Sequence, residues 1–538
     1  MKKFIYLIPF LFAGFIYSGC ARFDEMNRDN YVVYDAPAES YVQSILYKTE
    51  YTVMRMSYGL LSNIMQHGVN TNINNTAMLH YNYDIDESST AMLWSLYAQK
   101  GNAESMLVEA EKSNNPAMVG VALILRTFVM QIITDTYGNV PYFQAGFMPQ
   151  QGSDYVYNIP YDQQKEIYID MFRSLERANA AFDEEGAKNF KASLDYTYEG
   201  DIKKWRKFGN ALYFRLLMRV SLKVLEESNG RLELGDEYGT LHVTNRMADL
   251  YDCFVNGSGV YPMMSSVDDR AKAKFSKTDS FLYTPFYSTT SGIWNAQAAC
   301  ATLTDKMIVK NDSGKETMRD PRLHYYYSGP KGAPVQLSNV DMKLAIDKGV
   351  HGFAAGGNYG DVKNGEWYPL LNYSEVLFNF AEAAKRGWIS VTDKQMKQLY
   401  LDACKASMTE WNPDDKVPSS PGTTREQYLS YLDGKFDYDI ALEEILTQKW
   451  IASFWCGVEA WADYRRTGYP ILKTNGPAAE NNGILCTRLR YPATEAYQNG
   501  KYYQEAVNDW LGGENDMLTD VWWADTDESR DNRRKGRQ

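Results

Sequence analysis

The chain has 538 residues, long enough to bury a sizeable core, and carries 68 acidic against 56 basic side chains, a formal net charge of −12. That carboxylate excess opposes phosphate backbones and anionic lipid surfaces, which recruit lysine and arginine to replace counterions, and so argues against a nucleic-acid partner. Aromatic residues make up 14% of the chain, with 41 tyrosines against 22 phenylalanines; a ring whose hydroxyl needs a partner or water suits half-exposed positions, where stacking surfaces for a ligand can be built.

The chain opens Met1, Lys2, Lys3, runs from Phe4 to Tyr17 without a charge, and closes on Ser18, Gly19 and Cys20. A positive start, a short apolar core and a small-residue end are the parts of a secretory signal peptide, and the run is shorter than the roughly 20 apolar residues of a membrane-spanning helix. Residues 1–19 are therefore expected to be removed, which takes away Lys2 and Lys3 and moves the net charge from −12 to −14. The cysteine directly after Ser18 and Gly19 makes residues 17–20 resemble the lipobox of bacterial lipoproteins. That resemblance implies a diacylglycerol on the Cys20 thiol, and more than one acyl chain anchors stably at about 0.8 kcal/mol per buried CH₂. Residues 20–37 are polar, lack helical periodicity and read as a lipidated tether.

Helical patterns follow over 40–66, 89–112, 117–136, 161–185 and 201–224, joined by short connections. The third, "AMVGVALILRTFVMQII", has the look of a membrane span, but Arg126 at its middle would cost roughly 2.5–3.5 kcal/mol in lipid. It is expected as a helix buried in protein, started by Asn114, Asn115 and Pro116 and stopped by Gly138 and Pro141. Over 232–366 the sequence turns rich in Gly, Ser, Thr, Asn and Tyr and no helical face persists, which predicts loops with short strands; such a length is usually functional. Helices resume over 371–386, 393–411, 426–432 and 440–466, the last with Leu446, Trp450, Phe454, Val458 and Trp461 on one face. The tail "DTDESRDNRRKGRQ" is charged, lacks apolar residues and is expected to fray. The predicted fold class is mainly α, a helical array with a loop-rich central region, and residues 38–538 read as one domain.

The motifs HExxH, GxSxG, GxxxxGK[ST] and GxGxxG are absent. His67, His80, His242, His324 and His351 stand singly and read as structural or surface residues. Apart from Cys20 the cysteines are Cys253, Cys300, Cys404, Cys456 and Cys486. Their odd number and wide spacing indicate neither a disulfide scaffold nor a zinc site, although one disulfide remains open. The acidic run over 433–439 has Lys435 where a calcium loop needs an oxygen. No metal or cofactor is expected. A helical enzyme acting on sugars would need two carboxylates facing across a cleft, and the sequence singles out no such pair.

Six segments carry a family resemblance: "ALILRTFVMQIITDTYGNVPYF", "KWRKFGNALYFRLLMR", "DPRL", "YPLLNYSEVLFNFAEAAKRGW", "QKWIASFWCGVEAWADYRRTGYP" and "RLRYPATEAYQN". In this order, and with the lipobox, they resemble the SusD/RagB family of nutrient-binding outer-membrane lipoproteins. The resemblance implies a scaffold with tetratricopeptide-like helix pairs, a surface site for a glycan or other nutrient, docking on a SusC-like TonB-dependent transporter, and no enzymatic activity. Within these segments Arg465 and Arg466 close a helix, where cations offset the C-terminal dipole, and Glu375 and Glu382 are expected to pair with arginines across helices. Tyr491 and Pro492 are expected near the core. Cys456 departs from the family's usual polar residue, and "HGVNTNINNTAMLHYNYDID" does not closely follow the family pattern, so ligand identity does not carry over.

A sugar-capture site combines aromatic rings, for C–H faces, with amides or carboxylates, for hydroxyls, on loops held by a rigid scaffold. Two stretches fit. One offers Asn70, Asn72, Asn74, Asn75, Tyr81 and Tyr83; the other offers Tyr283, Phe286, Tyr287, Trp294 and Asn295. For any single ring, packing as a loop anchor outweighs ligand binding; the cluster is the stronger reading. The resulting expectation is an outer-membrane, lipid-anchored protein facing the cell exterior that captures an oligosaccharide or other nutrient for the transporter. The alternatives are a surface-anchored helical glycoside hydrolase or lyase, and a helical-repeat adaptor that binds only protein.

Overall fold

In the N-terminal half, apolar stripes at helical spacing pair neighbouring helices across short turns. The computed structural model describes residues 36–70, 83, 85–146, 158–286, 297–327, 329–349, 367–417, 422–476 and 483–537; the leader and most of the tether lie outside them. Helix α1 is Ser40–Met56, α2 Tyr97–Lys112, α3 Pro116–Tyr137, α4 Gln164–Ala181 and α5 Ile202–Ser228. Three residues separate α2 from α3, so the two form a helical hairpin, and α3 packs in turn on α4 and α5. The Asn115 side chain accepts the Met118 N–H at 3.2 Å, Pro116 occupies the first turn, and Gly138 at φ +83° ends the helix. Helix α3 is long and apolar enough to cross a membrane but is almost wholly buried inside the protein. Its Arg126 is held by Asp170 at 3.3 Å and Ser174 at 2.6 Å on α4, and by Glu104 at 3.5 Å on α2.

The central region holds the expected short strands and, against expectation, helices, among them Ala301–Met307 and Asn339–Asp347. Short strands are present: β1 Gly68–Asn70 pairs with β5 Gln297–Ala299, β2 Arg231–Glu233 with β3 Thr240–His242, β4 Ala271–Lys274 with β8 Trp367–Leu371, and β6 Ile308–Lys310 with β7 Glu316–Arg319, all antiparallel. A 14-residue helix, α6 Val243–Asn256, also forms there and packs on α5. Its buried stripe is only Val243, Met247 and Leu250, too short to stand out in a polar sequence. Spacings of four and three still place these residues on one face.

The C-terminal half holds α7 Tyr373–Lys385, α8 Asp393–Trp411, α9 Arg425–Lys435, α10 Ala441–Ala452 and α11 Gly457–Thr467, then α12 Gly500–Asp509 and α13 Asp527–Lys535. The pattern read as one helix over 440–466 is broken at 453–456. Trp455 takes φ +71°, and a Cβ on Gly457 would stand 2.8 Å from Leu61 Cβ, so this close approach tolerates only glycine. The Gly457 N–H then donates to Ser57 Oγ at 3.1 Å. The tail expected to fray forms α13 instead. Its Arg533 takes both oxygens of Asp520 at 2.8 Å, Asn532 donates to the Thr467 carbonyl at 2.9 Å, and Ser529 to the Arg465 carbonyl. Polar anchoring, invisible to a hydrophobic pattern, replaces the missing apolar stripe.

One continuous apolar core runs through the elements from Ala38 to Ala524, and charged pairs cross it. Arg215 on α5 grips both oxygens of Glu375 at 2.6 and 2.7 Å and reaches Glu459 at 3.2 Å. Arg219, one turn on, donates to Asp135 at 2.9 Å and to Glu459. Glu382 receives both prongs of Arg466 at 2.7 Å. The expected pairing of Glu375 and Glu382 with arginines thus stands. Arg465 and Arg466 stand in the last turn of α11 as expected, and Arg465 points inward: its Nε donates to the Trp461 carbonyl at 3.3 Å, its guanidinium lies 3.6 Å from the Trp461 ring centroid and donates to the Asp135 and Thr487 carbonyls, and burial lowers its pKa to about 9. Cys253, Cys300, Cys404, Cys456 and Cys486 are free thiols.

Candidate ligand-binding face

The β1–β5 ladder sets Asn70 opposite Gln297 and Gly68 opposite Ala299. Asn70 and Gln297, the residues that flank the two stretches picked out in the sequence, are therefore paired at one end of the ladder. Beneath the ladder a small separate core of Val69, Ala298, Cys300, Ala333 and Met342 holds it in place. A Cβ on Gly68 would stand 3.1 Å from the Tyr327 hydroxyl, so the strand lies close on the layer below.

That layer is aromatic. Tyr327 donates to the His67 carbonyl, and Tyr326 stacks on Phe454 with centroids 3.9 Å apart. The His67 ring lies against Trp450 at 4.6 Å, with Nε2 2.9 Å from the Trp450 carbonyl. Burial lowers its pKa to about 3, so the ring is neutral at physiological pH and Nε2 carries the proton that the carbonyl accepts.

A polar knot ties the flanks of the face together. Tyr83, at φ +67° and buried, accepts at its hydroxyl from Gln336 Nε2 at 2.8 Å and Gln66 Nε2 at 3.3 Å. Gln66 also donates to the Lys473 carbonyl at 2.6 Å and accepts from Thr302 at 2.6 Å. Gln336 accepts from the Gly476 N–H at 3.2 Å. Tyr83 and Gly476 thus belong to one cluster.

Of the sequence candidates, Asn70, Tyr83 and Phe286 are buried. Phe286 packs on Tyr58 at 4.7 Å and Trp455 at 5.9 Å, so these three build the wall of the face rather than its open surface. Tyr283 is half-buried, and its carbonyl accepts from Tyr47, whose hydroxyl burial pushes up to about 12. Asn72, Asn74, Asn75, Tyr81, Tyr287, Trp294 and Asn295 lie outside the described residues. Sequence reading missed Gln66, Gln336 and Gln297, because a lone glutamine carries no signal until the fold brings its partners to it. Among the described residues the buried acids Asp135, Asp320 and Glu382 are held by arginines, Asp195 is held by the Gly200 N–H and Trp205 Nε1, and no group of His, Cys, Asp or Glu is arranged to hold a metal ion.

The chain is thus a scaffold of paired helices that presents a small two-stranded ladder. The SusD-like family model, described as "Starch-binding associating with outer membrane", matches residues 30–492; the chain belongs to this family. Among solved structures, a chitin-binding protein superposes at a TM-score of 0.69 with 23% identity, covering 90% of this chain and 99% of that one. A chitin-binding SusD homolog from Flavobacterium johnsoniae does so at 0.66 and 23%, covering 91% and 98%. A SusD homolog from Bacteroides fragilis does so at 0.67 and 23%, covering 90% and 100%. At such identities these likenesses show the shared fold. No curated protein sequence matches the chain.

Proposed function

We propose that this protein is a lipid-anchored outer-membrane receptor, facing the cell exterior, that captures an oligosaccharide and passes it unchanged to a SusC-like TonB-dependent transporter. The observation that carries this reading is the β1–β5 pairing, which sets Asn70 and Gln297, the residues flanking two stretches rich in Asn and Tyr, opposite each other over a rigid aromatic base. Tyr81, Tyr287 and Trp294 would supply stacking faces, and Asn72, Asn74, Asn75 and Asn295 would supply amides for sugar hydroxyls, with Tyr283 at the edge. The family description and two relatives named for chitin support a glycan ligand. Residues 38–538 act as one domain, and Cys20 with the tether holds it at the membrane.

The test is calorimetric titration of the full-length protein in detergent with maltoheptaose, chitohexaose, xylohexaose and cellohexaose, paired with mass spectrometry of the first mature residue. Binding of at least one glycan is expected, weakened about tenfold by Trp294→Ala, with no cleavage products and with acyl chains on Cys20. Turnover of a bound glycan would replace receptor with enzyme, and an unacylated Cys20 would remove the anchor.

A further inference from the structure

A second concave site lies away from the ladder, where the start of α4, the end of α5, α12 and the segment before α13 meet. It encloses about 620 Å³, inside the range of roughly 300–1,000 Å³ usual for small-ligand sites. Tyr161, Tyr502, Trp510 and Trp522, all half-buried, give it four aromatic walls. On α12, Tyr502 and Asp509 are seven residues apart and so share the face turned to the cleft. The Trp510 ring is pinned against Gly138, with Arg488 5.1 Å from its centroid.

The polar lining consists chiefly of acceptors. Lys165 pairs with Glu227 at 3.2 Å and Lys223 with Asp525 at 3.2 Å, so both cations of the cleft are already neutralised. Trp522 Nε1 is fixed by Glu227 at 3.2 Å. Asp509 makes no ion pair among the described residues. Gln164, fully buried and lining the cleft, spends its amide N–H groups on Thr134, while its Oε1 has no partner. Glu505 and Asp509, both exposed in the cleft, add carboxylate acceptors, so the site suits a donor-rich ligand. Its carboxylates disfavour anions.

We propose that this cleft is a second saccharide site, for a short neutral oligosaccharide whose C–H faces stack on Tyr502 and Trp522 and whose hydroxyls donate to Glu505 and Asp509. This extends the capture reading above, since two sites on one chain would hold a polysaccharide by avidity. The full-length protein in detergent, labelled with 5-fluorotryptophan, is titrated with chitohexaose, maltoheptaose, xylohexaose and cellohexaose, and with spermidine as a cationic probe. Trp522→Phe assigns the cleft signal. The expected result is a shift of the Trp522 resonance with a neutral oligosaccharide, with affinity at that signal falling about tenfold in Tyr502→Ala and Asp509→Asn and unchanged in Trp294→Ala. A Trp522 signal silent to every oligosaccharide, or moved by spermidine alone, overturns the proposal; so does a sugar-induced shift that neither cleft variant weakens. Glycan binding lost in Trp294→Ala with a silent Trp522 sinks the cleft and leaves the ladder face standing. A shift at Trp522 with no effect of Trp294→Ala on any binding does the reverse.

Discussion

Glu382→Gln is the sharpest test of how α7, α11 and α13 of the C-terminal half are joined. The carboxylate is fully buried on α7, receives both prongs of Arg466 from α11 at 2.7 Å and Arg386 Nε at 2.8 Å, and Arg386 passes on to Glu528 of α13 at 2.7 and 2.9 Å. Arg466 and Arg386 hold its pKa at about 2 despite burial, against an ordinary 4.5. A depression of that size corresponds to about 3 kcal/mol of stability at neutral pH. Independently, removing one partner of a buried pair costs roughly 3–5 kcal/mol. The sign follows from the depressed value: the contribution is fully present above about pH 4.5 and is lost as the pH falls through about 2, with roughly 2 kcal/mol gone by about pH 3. Urea unfolding followed by circular dichroism should therefore show the variant about 3 kcal/mol or more below wild type at pH 7, and the gap should narrow by roughly 2 kcal/mol at about pH 3. A gap under about 1 kcal/mol at pH 7, or one that stays constant down to about pH 3, would refute the account of Glu382 as a desolvated, arginine-clamped carboxylate.

Gly138→Ala places a methyl group into the Trp510 ring at a residue with φ +83°; overpacking and backbone strain together should cost about 3 kcal/mol, read as a lowered urea midpoint. His67, neutral when folded with a pKa of about 3, binds fewer protons than the unfolded chain below about pH 6.5, so stability should fall as the pH drops from there toward about 3. His67→Phe should flatten that part of the profile by up to about 4 kcal/mol, and a profile identical to wild type would show that the ring is not buried neutral. Tyr83→Phe removes the hydroxyl shared by Gln66 and Gln336 and should cost about 1–3 kcal/mol. Glycan affinity should fall with it if this knot sets the geometry of the ladder face; unchanged affinity would separate the two.

Much of the helical scaffold is legible in the sequence because it rests on local periodicity and local caps. Helix α3 announces itself by its apolar run between Pro116 and Gly138, and Arg126 told correctly that the run is buried in protein rather than lipid. Helix α8 starts at Thr392, whose reciprocal hydrogen bonds with Gln395 form a capping box that a reader can see in "TDKQ". Where the reading failed, distant contacts had overruled local pattern. The stripe from Leu446 to Trp461 looked continuous, yet Gly457 lies against Ser57 and Leu61, some four hundred residues earlier, and that contact bends the chain. The tail looked unable to pack, yet Arg533 and Ser529 find Asp520 and the Arg465 carbonyl.

The candidate face divides along the same line. Local composition showed which residue types could meet a sugar, namely the asparagines and rings of two polar stretches, and a family likeness carried by six motifs. Composition could not show that Asn70 and Gln297 would become neighbours, that Asn70, Tyr83 and Phe286 would turn inward, or that Tyr161, Tyr502, Trp510 and Trp522 would enclose a second cleft. Periodicity and capping act over a few residues and are written in the order of the chain. Strand pairing, buried charge and cavity shape depend on residues hundreds of positions apart, and only the folded chain brings them within reach of one another.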